Sequence, residues 1–265
     1  LHVDKPLVMG IINITPDSFY TGSRHQSEDD ILRQAEKMLK DGAAIVDIGG
    51  QSTRPGSKKI TEDEEVKRVL APIEAIHKNF PEAFISVDTY YSKVAREAVA
   101  AGACIVNDIS GGSIDPDLIA TVAALKTPYV LMHIKGTPQT MVQESHYENI
   151  TKEVLDYFIA KKNALHKNGI TDIIIDCGFG FSKNAAQNFE LIRNLSIFKM
   201  LDVPILLGVS RKSFIYKTLS IPVEEALNGT TVLNTIGLMN GATILRVHDV
   251  KEAVQTVRLF ENYNT

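Results

Sequence analysis

The sequence predicts a single (β/α)8 barrel spanning residues 1–265. Three observations carry that expectation: eight short apolar runs, a helical pattern after each, and connections too short to house a second domain. The runs fall near 7–13, 44–48, 83–87, 104–107, 128–132, 172–176, 204–208 and 243–247. They are apolar on successive residues rather than on alternate ones. Such strands need cover on both faces, which is the parallel-sheet pattern.

The first run, Met9-Gly10-Ile11-Ile12, ends in a polar loop, Asn13-Ile14-Thr15-Pro16-Asp17-Ser18-Phe19. Ser27-Glu28-Asp29-Asp30 then opens a helix with a cap and an acidic first turn, Ile31, Leu32, Ala35, Met38 and Leu39 follow at helical spacing, and Gly42 stops it. Thr61-Glu62-Asp63-Glu64 repeats the opening ahead of Val66, Val69, Leu70, Ile73 and Ile76. Further helices fit near 92–101, 116–125, 148–168, 186–195, 223–240 and 249–262. An open doubly wound sheet is the rival architecture, but its dinucleotide fingerprint is missing. Gly178-Phe179-Gly180-Phe181-Ser182-Lys183 imitates it, yet Lys183 occupies the third glycine position and no acidic residue follows about 20 positions on.

At 265 residues and 44% hydrophobic content, the chain can bury one large core. A net charge of -4 offers no broad basic surface for nucleic acid or anionic lipid, so any anionic substrate must be met by local cations. Two cysteines, Cys104 and Cys177, both beside apolar runs, fit buried thiols in a reducing compartment, and the cytoplasm is the expected location. No apolar stretch approaches the roughly 20 residues of a membrane span, and the opening residues do not read as a signal peptide. A start at Leu1 rather than Met points to a few missing native residues.

Barrel enzymes place their chemistry at the C-terminal ends of the strands. Those ends carry Asn13; Asp47 with Gly49-Gly50-Gln51-Ser52-Thr53-Arg54-Pro55-Gly56; Asp88; Asn107 and Asp108; Met132 and His133; Asp176; Ser210-Arg211-Lys212-Ser213; and Arg246 with His248. Asp88 reads either as a helix cap or as a ligand. Asp47 and Asp108 read as loop anchors through backbone amides, His133 as a satisfied barrel histidine, and His77 and His166 as solvated helix residues. Arg54, between Thr53, Pro55 and glycines, reads as a cation delivered by a mobile loop. Arg246 and His248, two apart on a strand, are expected to present adjacent donors to an anion with several oxygens. Ser210-Arg211-Lys212-Ser213 leads into Phe214 to Leu219, which is expected to form a short helix with free N–H groups at the mouth.

Seven segments together resemble one family. Asn13-Ile14-Thr15-Pro16-Asp17-Ser18-Phe19, Gly49 to Gly56, Ser86-Val87-Asp88-Thr89, Asn107-Asp108-Ile109, Gly178-Phe179-Gly180-Phe181, Ser210-Arg211-Lys212 and Arg246-Val247-His248 resemble the dihydropteroate synthases, in that family's order and over nearly the whole chain. The resemblance implies a folate-pathway transferase that joins 6-hydroxymethyl-7,8-dihydropterin pyrophosphate to 4-aminobenzoate and releases pyrophosphate. It implies a pterin pocket of Asp88, Asn107, Ile109, Met132, Asp176, Phe181 and Lys212. It assigns the pyrophosphate to Asn13, Thr53, Arg246 and His248, and 4-aminobenzoate to Thr53, Arg54, Pro55, Phe181, Lys212 and Ser213. Catalysis falls to Asn13, Asp17, Arg54, Lys212, Arg246 and His248, with Mg²⁺ as cofactor at Asn13 and a homodimer formed through the late barrel helices.

Three positions depart from the family pattern. Thr21 stands where the first loop usually carries an acid, Gln51 where the second commonly has Glu, and Cys177 where the sixth-strand motif usually has Pro. Loss of that proline puts pocket rigidity in question. A pterin-dependent methyltransferase is the nearest alternative enzyme but needs no pyrophosphate clamp. A pterin-binding relative without turnover is the alternative from another class, motivated by Thr21 and Cys177.

Overall fold

The computed structural model describes residues 3–14, 28–53, 56–141 and 143–264. Eight parallel strands close on themselves in chain order: β1 (Leu7–Asn13), β2 (Ile45–Gly49), β3 (Phe84–Asp88), β4 (Ile105–Asp108), β5 (Tyr129–Met132), β6 (Ile173–Asp176), β7 (Ile205–Leu207) and β8 (Ile244–Val247). Met9 pairs with Ile45 on one side of β1, and Leu7 with Ile244 on the other, which closes the ring. Around it run α1 (Glu28–Lys40), α2 (Glu62–Asn79), α3 (Ser92–Ala100), α4 (Leu118–Leu125), α5 (Ile150–Lys167), α6 (Ala185–Arg193), α7 (Ser213–Leu219), α8 (Leu227–Met239) and α9 (Val250–Tyr263).

Side chains alternate across each strand, and the two faces do different work. The outward set, including Val46, Ile48, Ile85, Val87, Val106, Leu131, Ile175 and Leu245, packs under the helices in the main core. The inward set forms a separate plug of Met9, Ile45, Ile105, Val130, Ile174, Leu206 and Ile244. Full burial of each such side chain contributes about 1.5–3 kcal/mol, so the plug alone fixes the register of seven strands. A polar substitution at Val130, 0% exposed, would break it directly.

Helix ends follow the local chemistry. Thr61 Oγ1 accepts from Glu64 N at 3.3 Å to start α2, Asn149 Oδ1 from Lys152 N at 3.0 Å to start α5, and Asn184 with Gln187 makes a reciprocal capping box on α6. Ser27, expected to cap α1, lies outside the described residues. The stretch expected as one helix over 223–240 divides instead into a 3₁₀ turn, Val223–Glu225, and α8. Cys104 and Cys177 are free thiols; Cys177 is buried in the core, and burial pushes its thiol far above the ordinary range.

Candidate active site

Two residues beyond the plug, the same inward face turns polar. The positions reached are Asp47 on β2, Asn107 on β4, Met132 on β5, Asp176 on β6, Gly208 after β7 and Arg246 on β8, with Asp88 beyond Ser86 on β3. An apolar floor therefore lies one layer below a ring of functional groups, and strand periodicity alone aims those groups at the barrel axis.

Arg246 organises the ring. Its Nε donates to Asp47 Oδ2 at 2.6 Å and its Nη2 to Asp88 Oδ2 at 2.7 Å, while Asn107 Nδ2 donates to the same Asp47 oxygen at 3.0 Å. Asp47 is thus no loop anchor: its partners are side chains of β4 and β8, and its Oδ1 is left without one. Asp88 does not cap the next helix either. Tyr91 precedes α3, and the Ser92 N–H donates to Asp115. Burial pushes the Asp88 carboxyl upward, Arg246 pulls it back, and Asp47, Asp108 and Asp176 add like charge. Burial likewise opposes the charge on Arg246, but Asp47 and Asp88 outweigh it and hold the guanidinium protonated.

A second cation stands across the mouth. Lys212 precedes α7, donates from Nζ to the Phe179 carbonyl, and lies 4.6 Å from the centre of the Phe181 ring. A methyl group built on Gly208 would sit 3.6 Å from Asp176 Oδ2 and 4.0 Å from Lys212 Nζ, so the two charges converge. Burial pulls Lys212 down to about 8, with Asp176 pushing the other way. Asp176 Oδ1 also accepts from the Gly178 N–H at 2.8 Å, although burial still raises the acid. A corresponding point on Gly49 falls 3.6 Å from Asn13 Oδ1 and 3.7 Å from Asp88 Oδ2, which places Asn13 beside this ring. Ile109 and Met132 join Tyr90, Ile134 and Met141 in a third apolar cluster, with Phe181 half-buried against it.

Several other expected residues lie past the strand ends. β8 ends at Val247, so His248 lies one residue past the strand, exposed, with Nδ1 3.1 Å from Ser210 Oγ. It does not extend the strand face that presents Arg246. Arg211 turns away into a paired contact with Asp249, at 2.8 and 2.9 Å. Ser213 is exposed as the first residue of α7, and Thr53 is half-buried on the β2–α2 connection. Asp17, Thr21, Arg54 and Pro55 lie outside the described residues. Asp108 is the loop anchor expected of it, accepting from the Ser110 and Gly112 N–H groups at 2.7 Å each and from the Tyr129 hydroxyl at 2.6 Å. His133 is not satisfied: its ring packs edge-on against Tyr157 at 4.9 Å, Nδ1 has no partner, and burial holds it neutral.

Sequence reasoning missed several supports. Gln51 is buried, donating to the Tyr90 hydroxyl and accepting from the Ile60 N–H at 3.2 Å, so it braces the second loop. Glu65, 1% exposed beneath Gly50, has neither oxygen hydrogen-bonded, and burial raises its carboxyl to about 8 despite the nearby Thr89 hydroxyl. Lys183, dismissed as a fingerprint mismatch, is buried inside the β6–α6 loop. Helical spacing did carry a signal for Glu65, which lies four and eight positions before Val69 and Ile73 on the buried face of α2, whereas none marks Lys183. Asp47 did have a signal, since it lies two positions after inward Ile45.

Three carboxyls and an amide set against a guanidinium and an ammonium, above an apolar floor, define a barrel enzyme that holds a polar heterocycle. The pterin-binding enzyme family model matches residues 9–248. The dihydropteroate synthase of Escherichia coli K12 is 41% identical over 263 residues, 98% of this chain and 93% of that one. The solved Yersinia pestis dihydropteroate synthase with a sulfonamide drug superposes with a TM-score of 0.94 at 37% identity, covering 100% of this chain and 96% of that one. The Xanthomonas albilineans enzyme in complex with 7,8-dihydropteroate superposes with a TM-score of 0.90 at 33% identity, over 100% and 96%. The chain belongs to the pterin-binding enzyme family and, within it, to the dihydropteroate synthases.

Proposed function

We propose that the barrel mouth divides its labour between two flanks. The reaction joins 6-hydroxymethyl-7,8-dihydropterin pyrophosphate to 4-aminobenzoate. The observation that carries the assignment is the Asp47–Arg246–Asp88 chain beside Asn107, Asp176 and Lys212. A pterin edge presents amino, N–H and carbonyl groups, which Asp88, Asn107, Asp176 and Lys212 match, and a ring lacking those donors would leave buried carboxyls unpaired. Ile109, Met132 and Phe181 supply apolar contact. As the C–O bond to pyrophosphate breaks, positive charge develops on the pterin methylene and negative charge on the leaving group. Asp88 and Asp176 stabilise the first, and Arg246, with Asn13, Thr53 and His248, the second. The aniline nitrogen then attacks the methylene carbon and loses its proton.

Arg246 enters this scheme already held by two acids. Its Nη1 makes no hydrogen bond among the described residues and is the edge left for a phosphate oxygen. Thr53, Phe181, Lys212 and Ser213 would contact 4-aminobenzoate, with roles for Arg54 and Pro55 in the same pocket and for Asp17 and Arg54 in catalysis carried by the family resemblance alone. The Asn13 side chain likewise has no hydrogen bond among the described residues, and no cluster of three or more acidic, His or Cys ligands occurs among them. The Asn13 amide oxygen would suit Mg²⁺, which needs few protein ligands when substrate phosphates are present, and the ion would help neutralise leaving-group charge.

The exposed apolar residues Val232, Ile236 and Met239 repeat along one side of α8, with Leu219 on α7 also exposed, and support pairing with a second copy of this chain. Two unpaired thiols support a reducing, cytoplasmic setting. No helix among the described residues is long and apolar enough to cross a membrane. Pyrophosphate release, measured with and without 4-aminobenzoate and Mg²⁺, tests the reading. Turnover requiring both substrates supports it, and pterin binding without release overturns it.

A further inference from the structure

The β6–α6 loop has to hold Phe181 and the Asp176–Gly178 turn in place without the proline that would stiffen residue 177. A buried amine is bonded into it. Lys183 Nζ donates to the carbonyls of Phe181 at 2.9 Å, Gly178 at 3.0 Å and His133 at 3.3 Å. Two of these carbonyls belong to its own loop, and the third lies at the end of β5. Gly178 sits at φ +67, where a Cβ would collide with that same His133 carbonyl, so the two loops are in contact at this point. A further bond crosses the junction, from the Lys135 N–H to Ser182 Oγ at 2.9 Å, and within the β6–α6 side Asn188 Oδ1 accepts from the Gly180 N–H at 2.7 Å. An ammonium has three donors and no acceptor, and here three carbonyls meet all three. Burial pulls Lys183 down to about 7, while Cys177 and Asp176 push the other way.

We propose that Lys183 is a positioning residue for the reaction: its ammonium ties the β5–α5 and β6–α6 loops together and thereby sets where Phe181 stands against the substrates. It touches no reacting atom. The inference rests on the reading above that Phe181 contacts the pterin and 4-aminobenzoate.

Lys183→Met keeps the length of the chain and removes only the donors. KM for 4-aminobenzoate is expected to rise at least about tenfold with kcat within about threefold of wild type, the fold retained and the melting temperature lowered by the carbonyls left without a donor. Lys183→Ala deletes the equivalent of n-propylammonium, which at tens of millimolar is expected to bring KM most of the way back, while uncharged n-butanol does not. Unchanged KM in both variants, equal rescue by n-butanol, or a Met variant that fails to fold would each overturn the proposal. Wild-type turnover run alongside separates these outcomes from failure of the functional assignment itself, in which the unaltered protein would release no pyrophosphate.

Discussion

Arg246 Nε donates to Asp47 Oδ2 at 2.6 Å, joining β8 to β2 behind β1. The bond fixes the plane of a guanidinium whose Nη2 is held by Asp88, so Asp47 determines where the remaining edge points. Asp47→Ala should lower kcat by about 10–100-fold through loss of that aim, with a smaller change in pterin KM. Steady-state pyrophosphate release checks it, and an unchanged kcat would reduce Asp47 to packing.

Arg246→Ala should slow the chemical step by orders of magnitude while leaving pterin binding partly intact, since Asp176, Asn107 and Lys212 remain. It should also destabilise the fold by about 3–5 kcal/mol, because two buried carboxylates lose their partner. Burial already raises Asp88 to about 7 with Arg246 in place, and without the guanidinium the folded state holds that proton more tightly still. The loss should therefore be smallest below pH 7 and grow as pH rises above it. Denaturant melts at pH 4.5 and 8 measure the difference, and a pH-independent loss would contradict the pairing.

The barrel and its floor were legible because both follow from strand periodicity: all eight strands lie within about a residue of where the apolar runs put them. The polar ring followed as strand endings. What escaped was partnership. Asp47 and Arg246 are 199 positions apart, and nothing local in either segment says that one orients the other. Glu65 and Lys183 look like an ordinary helix-start acid and a loop cation until packing buries them, and Gln51 looks like a substitution until Tyr90 is placed beside it.

Glu65 yields a pH prediction with a definite sign. Its folded pKa of about 8 exceeds its ordinary 4.5, so the folded state holds a proton the unfolded chain releases. The resulting penalty is absent below pH 4.5, grows to about 3 kcal/mol at pH 7, and levels off above pH 8. Glu65→Gln should melt close to wild type at pH 4.5 and roughly 5–10 °C higher at pH 8. Parallel melting curves at both pH values would show that Glu65 ionises freely.

Thr53 sits where Ser57 Oγ ties the second loop back to the Ser52 carbonyl at 2.6 Å. Thr53→Ala should chiefly raise KM for 4-aminobenzoate, by about tenfold, and leave affinity for the pterin pyrophosphate nearly unchanged. Equal losses for both substrates, read by titration calorimetry, would move Thr53 out of the 4-aminobenzoate pocket.

Mg²⁺ should matter only where a diphosphate is present. Asn13 offers one neutral oxygen near Asp88, too little to hold the ion tightly without phosphate oxygens from the substrate. Chelation should accordingly slow pyrophosphate release at least about tenfold, with recovery on readdition, yet leave binding of a pterin lacking the diphosphate unchanged. Asn13→Ala should raise the Mg²⁺ concentration needed for half-maximal rate without altering that pterin affinity. If the variant and the wild type share one Mg²⁺ dependence, Asn13 is not the ligand; if chelation leaves the rate intact, Arg246 and its neighbouring donors stabilise the leaving group without a metal.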